Sequence, residues 1–297
     1  MLTRSVIRRY FSNRIKIREL APRDGLQNEK KILSTEQKIE FVNRLSRAGF
    51  EYIEVSSFVN PKLVPQMADS EALFQRLDKF PSTTYAALVP NEKYLLKAME
   101  SRVDEVCVFV SASESFSQKN INCSIDQSME RTKKVVDIAL KNNLPVRAYI
   151  SCCFHCPFED RIAPGNVVNV AKRLLEYGAR ELSLADTIGS ATNQDVQVLM
   201  DIVSKEIPIY RVALHFHDSK SQAVSNALLS AKDYGVMIFD SCVQGLGGCP
   251  FAGPGVPGNV STSNLIKAFR EHGYEVEPKV NLEEIGKIGE WIKSQLA

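Results

Sequence analysis

A regular alternation between short β-branched runs and longer amphipathic stretches constrains the fold of this chain more than any other feature. Strand-like runs occur at residues 14–20, 52–58, 84–89, 105–112, 145–154, 181–187, 211–217 and 237–244. Between them, apolar residues recur at helical spacing, for example at 34–49, 128–143, 166–178, 193–206 and 221–235. The chain is therefore predicted to alternate strand and helix along most of its length.

Eight strand–helix units without turn-linked hairpins indicate a parallel sheet, and eight strands are the number that closes a TIM (β/α)8 barrel. We therefore predict an α/β fold of this type, with a doubly wound open sheet as the alternative. The segment NLEEIGKIGEWIKSQLA at the end of the chain predicts an extra C-terminal helix. A single barrel domain is expected over residues 12–297, because barrels of this kind occupy about 250 residues.

The beginning of the chain differs in composition from the remainder. Residues 1–18 carry six Lys and Arg residues, no acid precedes Glu19, and apolar side chains lie among the arginines. This pattern is typical of an organelle-import segment. Residues 1–11 are thus predicted to be a mitochondrial targeting segment and the protein to reside in the mitochondrial matrix; a disordered basic tail is the alternative.

Several partner classes find no support in the sequence. No stretch reaches the roughly 18 apolar residues of a membrane span, and no basic cluster after the first residues is interleaved with aromatics as in nucleic-acid surfaces. We expect no membrane and no nucleic acid as partners. Seven cysteines without a secretory signal argue against a disulfide framework. The SCCFHC stretch (151–156) lacks a second close pair for zinc, so its cysteines are expected to pack as small apolar side chains.

Two of the four histidines, His215 and His217, stand two places apart in ALHFHDSK. Because side chains alternate along a strand, both imidazoles face the same side, toward the barrel mouth. Asp218 begins the exit to the next helix, so the pair lies at the C-terminal end of strand seven, where TIM-barrel active sites are built. The pair predicts a divalent metal site; a structural or hydrogen-bonding role is the alternative.

Other strands end in polar residues at the same rim. Strand one exits into APRDGLQNEK, which holds Arg23 and Asp24, and strand two holds Glu54 between two apolar residues. An ordinary turn and a buried ion pair are the alternatives for these positions. Asp24 with two imidazoles and further oxygen donors would suit Mg²⁺ or Mn²⁺ better than a thiolate-bound zinc.

Strand eight exits into a loop unusually rich in glycine and proline. Nine of the fourteen residues at 245–258 are Gly or Pro, the loop carries Cys249, and Asn259 follows it. Glycines allow close backbone approach while prolines limit loop entropy, a mixture that favours a loop reshaped over a substrate. A long connection with an inert cysteine is the alternative.

Six stretches together closely resemble the 3-hydroxy-3-methylglutaryl-CoA lyase family of metal-dependent TIM barrels: PRDGLQNE, SFVNPKLVPQM, KNINCSI, SLADTIG, HFHD and GLGGCPFA. The resemblance runs from about residue 15 to about residue 290. It implies cleavage of 3-hydroxy-3-methylglutaryl-CoA into acetyl-CoA and acetoacetate, a step of leucine breakdown and of ketone-body formation. It also implies a homodimer.

The same resemblance implies roles for individual residues. The ligands of the Mg²⁺ or Mn²⁺ ion would be Asp24, His215, His217 and Asn259. Arg23 would hold the thioester carbonyl, and Cys249 would take part in proton transfer. Glu54, Asp186 and Thr187 match further active-site positions, the first two as catalytic residues and Thr187 as a substrate-binding residue. The proton acceptor stays open among Cys249, His215 and Glu54.

Two departures from the family pattern keep other functions open. The chain reads HFHDSKSQ where HxHDTYGQ is expected, which brings Lys220 near the mouth, and the loop before Asn259 is one residue longer. One alternative is a related acyl-CoA or 2-oxo acid aldolase or Claisen-type enzyme. The other is a barrel that binds metabolites without catalysis.

Overall fold

A computed structural model describes residues 13–248, 258–277 and 280–297. Eight parallel strands form a barrel: β1 (Arg14–Glu19), β2 (Tyr52–Ser57), β3 (Thr84–Leu88), β4 (Glu105–Ser111), β5 (Val146–Ser151), β6 (Glu181–Asp186), β7 (Val212–Phe216) and β8 (Ile238–Ser241). Each strand pairs with its neighbours in chain order, and β1 also pairs with β8, with Ile17 opposite Phe239. This last pairing closes the sheet, so the open-sheet alternative is wrong and the predicted TIM barrel is confirmed.

Helices surround the barrel in the order that the sequence predicts. They are α1 (Thr35–Arg47), α2 (Ser70–Arg76), α3 (Glu92–Glu100), α4 (Glu114–Ile121), α5 (Ile125–Lys141), α6 (Pro164–Tyr177), α7 (Asn193–Glu206), α8 (Ala223–Leu229), α9 (Thr262–Glu271) and α10 (Leu282–Leu296). Capping boxes at Ser34, Ser124 and Thr192 satisfy the first N–H groups of α1, α5 and α7. Gly178 ends α6 in the left-handed conformation, with φ 108°.

Two local predictions need correction. After β5 the chain forms an antiparallel hairpin, His155–Cys156 with Asp160–Arg161, although no hairpin is expected from the sequence. Cys152, which precedes the hairpin, and Asp160, which lies in it, adopt positive φ (both 56°). Neither is glycine, the residue that most readily adopts this conformation. The predicted helix at 221–235 is also shorter, because α8 passes at Ser230–Tyr234 into a π-helical turn that ends at Gly235.

The predicted extra C-terminal helix is confirmed as α10. Its Ile285, Ile288 and Ile292 are buried, and Trp291 packs on Phe41 of α1 with ring centroids 6.2 Å apart. Within the described part of the chain, no helix combines the length and the apolarity that crossing a membrane requires. Residues 1–11 lie outside the described residues, and the domain boundary at residue 12 stays a prediction.

The inside of the barrel is charged, while the apolar core lies between the strands and the helices. Leu214 and Phe216 belong to that buried core. The opposite face of the strands carries buried polar residues that meet across the barrel, such as Arg147 of β5 with Asp240 of β8. Strand alternation thus separates an outer hydrophobic layer from an inner polar one.

Candidate active site

Three of the predicted metal ligands come together at the mouth of the barrel. Asp24 lies in a π-helical turn that follows β1 (Ala21–Gly25), His215 lies in β7, and His217 directly follows that strand. One ligand atom from each residue lies within 4.8 Å of the other two. Throughout residues 13–248, 258–277 and 280–297, no other group of three or more His, Cys, Asp or Glu residues meets this criterion.

Asn259, the fourth predicted ligand, joins the cluster from the far end of the glycine-rich loop. It forms an isolated antiparallel bridge with His217, and its Nδ2 donates to Asp24 Oδ2 at 2.7 Å and to the Leu246 carbonyl at 3.1 Å. Its Oδ1 is buried without a hydrogen-bond partner, as is Nδ1 of His217. Because buried polar atoms are normally paired, these atoms beside a carboxylate fit a bound cation.

The charge states of the cluster favour metal ligation. Burial by itself would raise the pKa of Asp24, but Arg23 and the two histidines outweigh it and hold that pKa well below its usual range. Burial and the neighbouring His215 lower the pKa of His217 to about 4. At neutral pH Asp24 is therefore ionised and His217 neutral, the forms that bind metal.

Arg23 is fixed in place at the wall of the cavity. Its Nε donates to Glu54 Oε1 at 2.6 Å, and its Nη1 donates to Asp24 Oδ1. The guanidinium also lies over the Tyr149 ring, 5.3 Å from the centroid, and the Tyr149 hydroxyl donates to Glu54 Oε2. Both oxygens of Glu54 are thus engaged in holding Arg23 and Tyr149.

The structure separates Asp186 from Thr187. Asp186 lies opposite Phe216 in the β6–β7 register, on the side of the strand that faces the helices. Its carboxylate accepts from the Ser190 and Ala191 N–H groups at 3.1 and 3.0 Å, and burial raises its pKa to about 6. Thr187 instead lines the cavity and accepts from the Cys152 N–H at 2.7 Å. The catalytic role of Asp186 stays a prediction.

A cavity of about 1170 Å³ opens above the cluster. Arg23, Asp24, His215 and His217 line it together with apolar side chains such as Phe116. Lys119 of α4 and Arg131 of α5 add two cations to the lining. The volume exceeds the range of about 300–1,000 Å³ that is usual for small-molecule sites, so the cavity suits a large anionic ligand.

Three further sequence expectations concern Cys249, Lys220 and the SCCFHC cysteines. Cys249 lies outside the described residues. Lys220 is exposed on the segment after β7. Cys152, Cys153 and Cys156 are free and buried.

Two residues that the sequence analysis missed lie directly beneath the cluster. Asp240 Oδ2 is 3.2 Å from His215 Nδ1, and Arg147 Nη2 donates to Asp240 Oδ1 at 2.5 Å. Burial would raise the pKa of Asp240, but Arg147 and His215 outweigh it and lower that pKa. For Arg147 a signal was present, since it is a charged residue between the apolar Val146 and Ala148 in a strand run. Asp240 is followed by the polar Ser241 and stands out less.

Comparisons with known proteins identify the family to which this chain is similar. The HMGL-like family model matches residues 14–292. The cytoplasmic 3-hydroxy-3-methylglutaryl-CoA lyase of Rattus norvegicus is 45% identical to this chain, over 94% of this chain and 80% of its own length. A hydroxymethylglutaryl-CoA lyase of Bacillus subtilis is 40% identical over 96% of this chain and 94% of its own.

The solved structure of hydroxymethylglutaryl-CoA lyase from Pseudomonas aeruginosa superposes with a TM-score of 0.93 and 43% identity. It covers 97% of this chain and 94% of its own. The family resemblance read from the sequence is therefore confirmed.

The predicted mitochondrial matrix location is wrong. Relatives of similar identity include the cytoplasmic protein of rat and the bacterial protein of Bacillus subtilis, so membership of this group of proteins indicates no mitochondrial address. A basic, acid-free beginning is a compositional signal only, and these relatives do not support reading it as a targeting segment.

Proposed function

This chain belongs to the HMGL-like family, and on that premise we propose that it cleaves 3-hydroxy-3-methylglutaryl-CoA into acetyl-CoA and acetoacetate with a bound divalent cation. The observation that carries the proposal is the cluster of Asp24, His215 and His217 beside Asn259, at a cavity large enough for an acyl-CoA. The high identity to named lyases over nearly the whole chain supports the same reaction.

Asp24, His215, His217 and Asn259 would hold the cation. A carboxylate, two imidazoles and an amide oxygen suit Mg²⁺ or Mn²⁺. A cation bound there would lower the pKa of the tertiary hydroxyl of the substrate and orient that group. The unpaired Asn259 Oδ1 and His217 Nδ1 support this assignment, because each is buried and lacks a hydrogen-bond partner within the described residues.

Arg23 would stabilise the charge that develops during cleavage. A base removes the proton of the C3 hydroxyl, the C2–C3 bond breaks, and its electron pair passes to the thioester as an enolate. Protonation at C2 then gives acetyl-CoA, while the other fragment leaves as acetoacetate. A guanidinium already fixed by Glu54 and Tyr149 needs little reorganisation to meet the enolate oxygen.

The contacts narrow the choice of proton carrier. Glu54 has both oxygens occupied by Arg23 and Tyr149, which favours a positioning role for it over proton transfer. His215 has one ring nitrogen occupied by Asp240, and its other nitrogen would ligate the cation. We therefore assign proton transfer to Cys249, on the strength of its place in GLGGCPFA.

The remaining predicted residues have supporting roles in this proposal. Asp186 would hold the turn at 187–191 through its two backbone hydrogen bonds, so that Thr187 presents its side chain to the cavity. Lys119 and Arg131 would attract the phosphates of the CoA moiety. The homodimer stays a prediction, which sedimentation of the purified chain would test.

The proposal is tested by acetoacetate formation from 3-hydroxy-3-methylglutaryl-CoA with Mg²⁺ or Mn²⁺, with and without EDTA. Product should require the cation and be lost in His217→Ala. The matched control is His272→Ala, which alters an exposed histidine whose Nδ1 lies 2.8 Å from the Ala268 carbonyl oxygen; it should retain activity. A protein that binds Mn²⁺ but forms no acetoacetate would overturn the lyase assignment in favour of another acyl-CoA reaction or a binding role.

A further inference from the structure

His215 has a buried acidic neighbour on the adjacent strand. In the β7–β8 register His215 lies opposite Asp240, and Nδ1 of the imidazole is 3.2 Å from Oδ2 of the carboxylate. Both side chains are nearly inaccessible, with 8% and 0% of their surface exposed. Water is therefore excluded from this contact, and the carboxylate determines whether Nδ1 donates or accepts a hydrogen bond.

Asp240 is committed to accepting hydrogen bonds. Arg147 Nη2 donates to Oδ1 at 2.5 Å, and the Ser183 hydroxyl donates to Oδ2 at 2.7 Å. Arg147 is held in turn by Glu181, whose Oε1 accepts from Arg147 Nε at 2.6 Å. An ionised carboxylate beside a guanidinium has no proton to donate.

This arrangement specifies the tautomer of His215. In a neutral imidazole one nitrogen carries the hydrogen and the other accepts, so Nδ1 must carry it here and Nε2 keeps the lone pair. We propose that Asp240 is a positioning residue, which holds His215 in the Nδ1–H tautomer so that Nε2 serves the cluster with Asp24 and His217. The inference rests on the metal centre of the proposed function.

An amide at this position would reverse the tautomer. In Asp240→Asn, the single side-chain oxygen must face the charged Arg147 donor, which turns the NH₂ group toward His215. Nδ1 would then accept, Nε2 would carry the hydrogen, and no lone pair would be left for a cation. The side chain would keep its shape, but the group that faces His215 would donate a hydrogen bond where the carboxylate accepts one.

Binding of Mn²⁺ to the full chain, followed by electron paramagnetic resonance of the free ion, tests this idea. We expect Asp240→Asn to raise the Mn²⁺ dissociation constant by about 10- to 100-fold. The matched control is Glu181→Gln, another buried acid-to-amide change that touches Arg147 and not His215. The control should weaken the fold without a comparable loss of Mn²⁺ affinity.

A second measurement does not require the Asp240→Asn variant to fold. With only four histidines in the chain, ¹⁵N-histidine NMR of the metal-free wild type can be assigned by single substitutions. The Nδ1–H form at His215 is the expected result, and the Nε2–H form would overturn the inference. Rescue of the Nδ1–H form by Asp240→Glu would support it further.

The outcomes separate this inference from the proposed function. If the wild-type protein binds no Mn²⁺, both the proposed metal centre and the positioning role of Asp240 are wrong. Wild type whose binding is lost in His217→Ala but unchanged in Asp240→Asn would leave the metal centre intact and overturn only the role of Asp240. An equal loss in Asp240→Asn and Glu181→Gln would also overturn it, since general destabilisation would then suffice.

Discussion

The mouth of the barrel and the charged layer directly beneath it are built by the same strand alternation, yet their acceptors are satisfied differently. We define the charged layer as Arg18, Arg147, Glu181 and Asp240. Both oxygens of Glu181 and both of Asp240 accept hydrogen bonds there. At the mouth, Asn259 Oδ1 and His217 Nδ1 are buried and accept none.

This difference distinguishes a supporting layer from a binding site. Acceptors that are satisfied within the protein gain nothing from a ligand, whereas buried unpaired atoms carry a desolvation cost that a ligand can offset. Arg147 Nη1 also lacks a hydrogen-bond partner in the described part of the chain. It belongs to a positively charged guanidinium that only donates hydrogen bonds, so it cannot ligate a metal. The unpaired acceptors at the mouth are thus the ones that point to a cation.

The largest predicted effect comes from breaking the charged layer. Arg147→Met would leave Asp240 without its guanidinium partner and Glu181 with Arg18 alone. We expect a loss of about 3–5 kcal/mol in the free energy of unfolding, because an unpaired charge would remain buried. Urea unfolding followed by the fluorescence of the single tryptophan, Trp291, measures it.

His217→Ala is the counterpart at the mouth. It removes a neutral imidazole that has an unpaired nitrogen, so it should cost the metal-free protein less stability than Arg147→Met. Equal losses of stability in the two variants would show that the mouth is as much a part of the scaffold as the layer, and the distinction would fail.

A smaller effect on the free energy of unfolding is expected at Glu277, a buried carboxylate with an unpaired oxygen that lies outside the Asp24, His215 and His217 cluster. Glu277 Oε1 accepts from the Ile17 N–H at 2.9 Å, while Oε2 has no partner. Burial raises the pKa of Glu277 from 4.5 to about 8. Because the folded state binds this proton more tightly than the unfolded state, stability falls as pH rises from about 4.5 to about 8.

Glu277→Gln should remove that pH dependence. Above pH 8 the variant is expected to be more stable than wild type by on the order of 2 kcal/mol, with the advantage shrinking toward pH 5. Urea unfolding at the two pH values measures it, with the exposed Glu290→Gln as the matched control. A constant difference across this pH range would mean that Glu277 does not titrate in this interval.

Much of the fold follows from the sequence because the barrel repeats one pattern. Each β-branched run has a helix after it, and the helix at 193–206 is observed with the predicted bounds. The hairpin after β5 was not predictable from a glycine turn, since the positive φ angles before and within it fall on Cys152 and Asp160. No glycine in the local sequence indicates those angles.

The site was predictable where its residues end a strand and unpredictable where their neighbours are distant in sequence. His215 and His217 were singled out by their spacing in ALHFHDSK, and strand alternation placed both on the same face. Arg147 and Asp240 are 93 residues apart and meet across the barrel, so neither run reveals its partner. Asp186 follows the same strand-end rule as Thr187, yet its register places it on the outer side.

The smallest effect is predicted for an ion pair with a similar separation that lies on the surface and not in the charged layer. Lys133 Nζ lies 2.6 Å from Asp137 Oδ2 on the outer surface of α5, nearly the distance between Arg147 and Asp240. About half of each side chain is exposed, 51% and 54%. Water and salt screen such a pair, and ordering the two side chains costs entropy.

Asp137→Asn should therefore lower the free energy of unfolding by no more than about 0.5 kcal/mol, and added salt should reduce even that. The same urea assay detects it, at low and at high NaCl. A loss approaching that of Arg147→Met would mean that distance and not burial determines how much an ion pair stabilises this barrel. A negligible loss would leave burial as the reason that the charged layer fixes the geometry beneath the mouth, since the two pairs have closely similar separations.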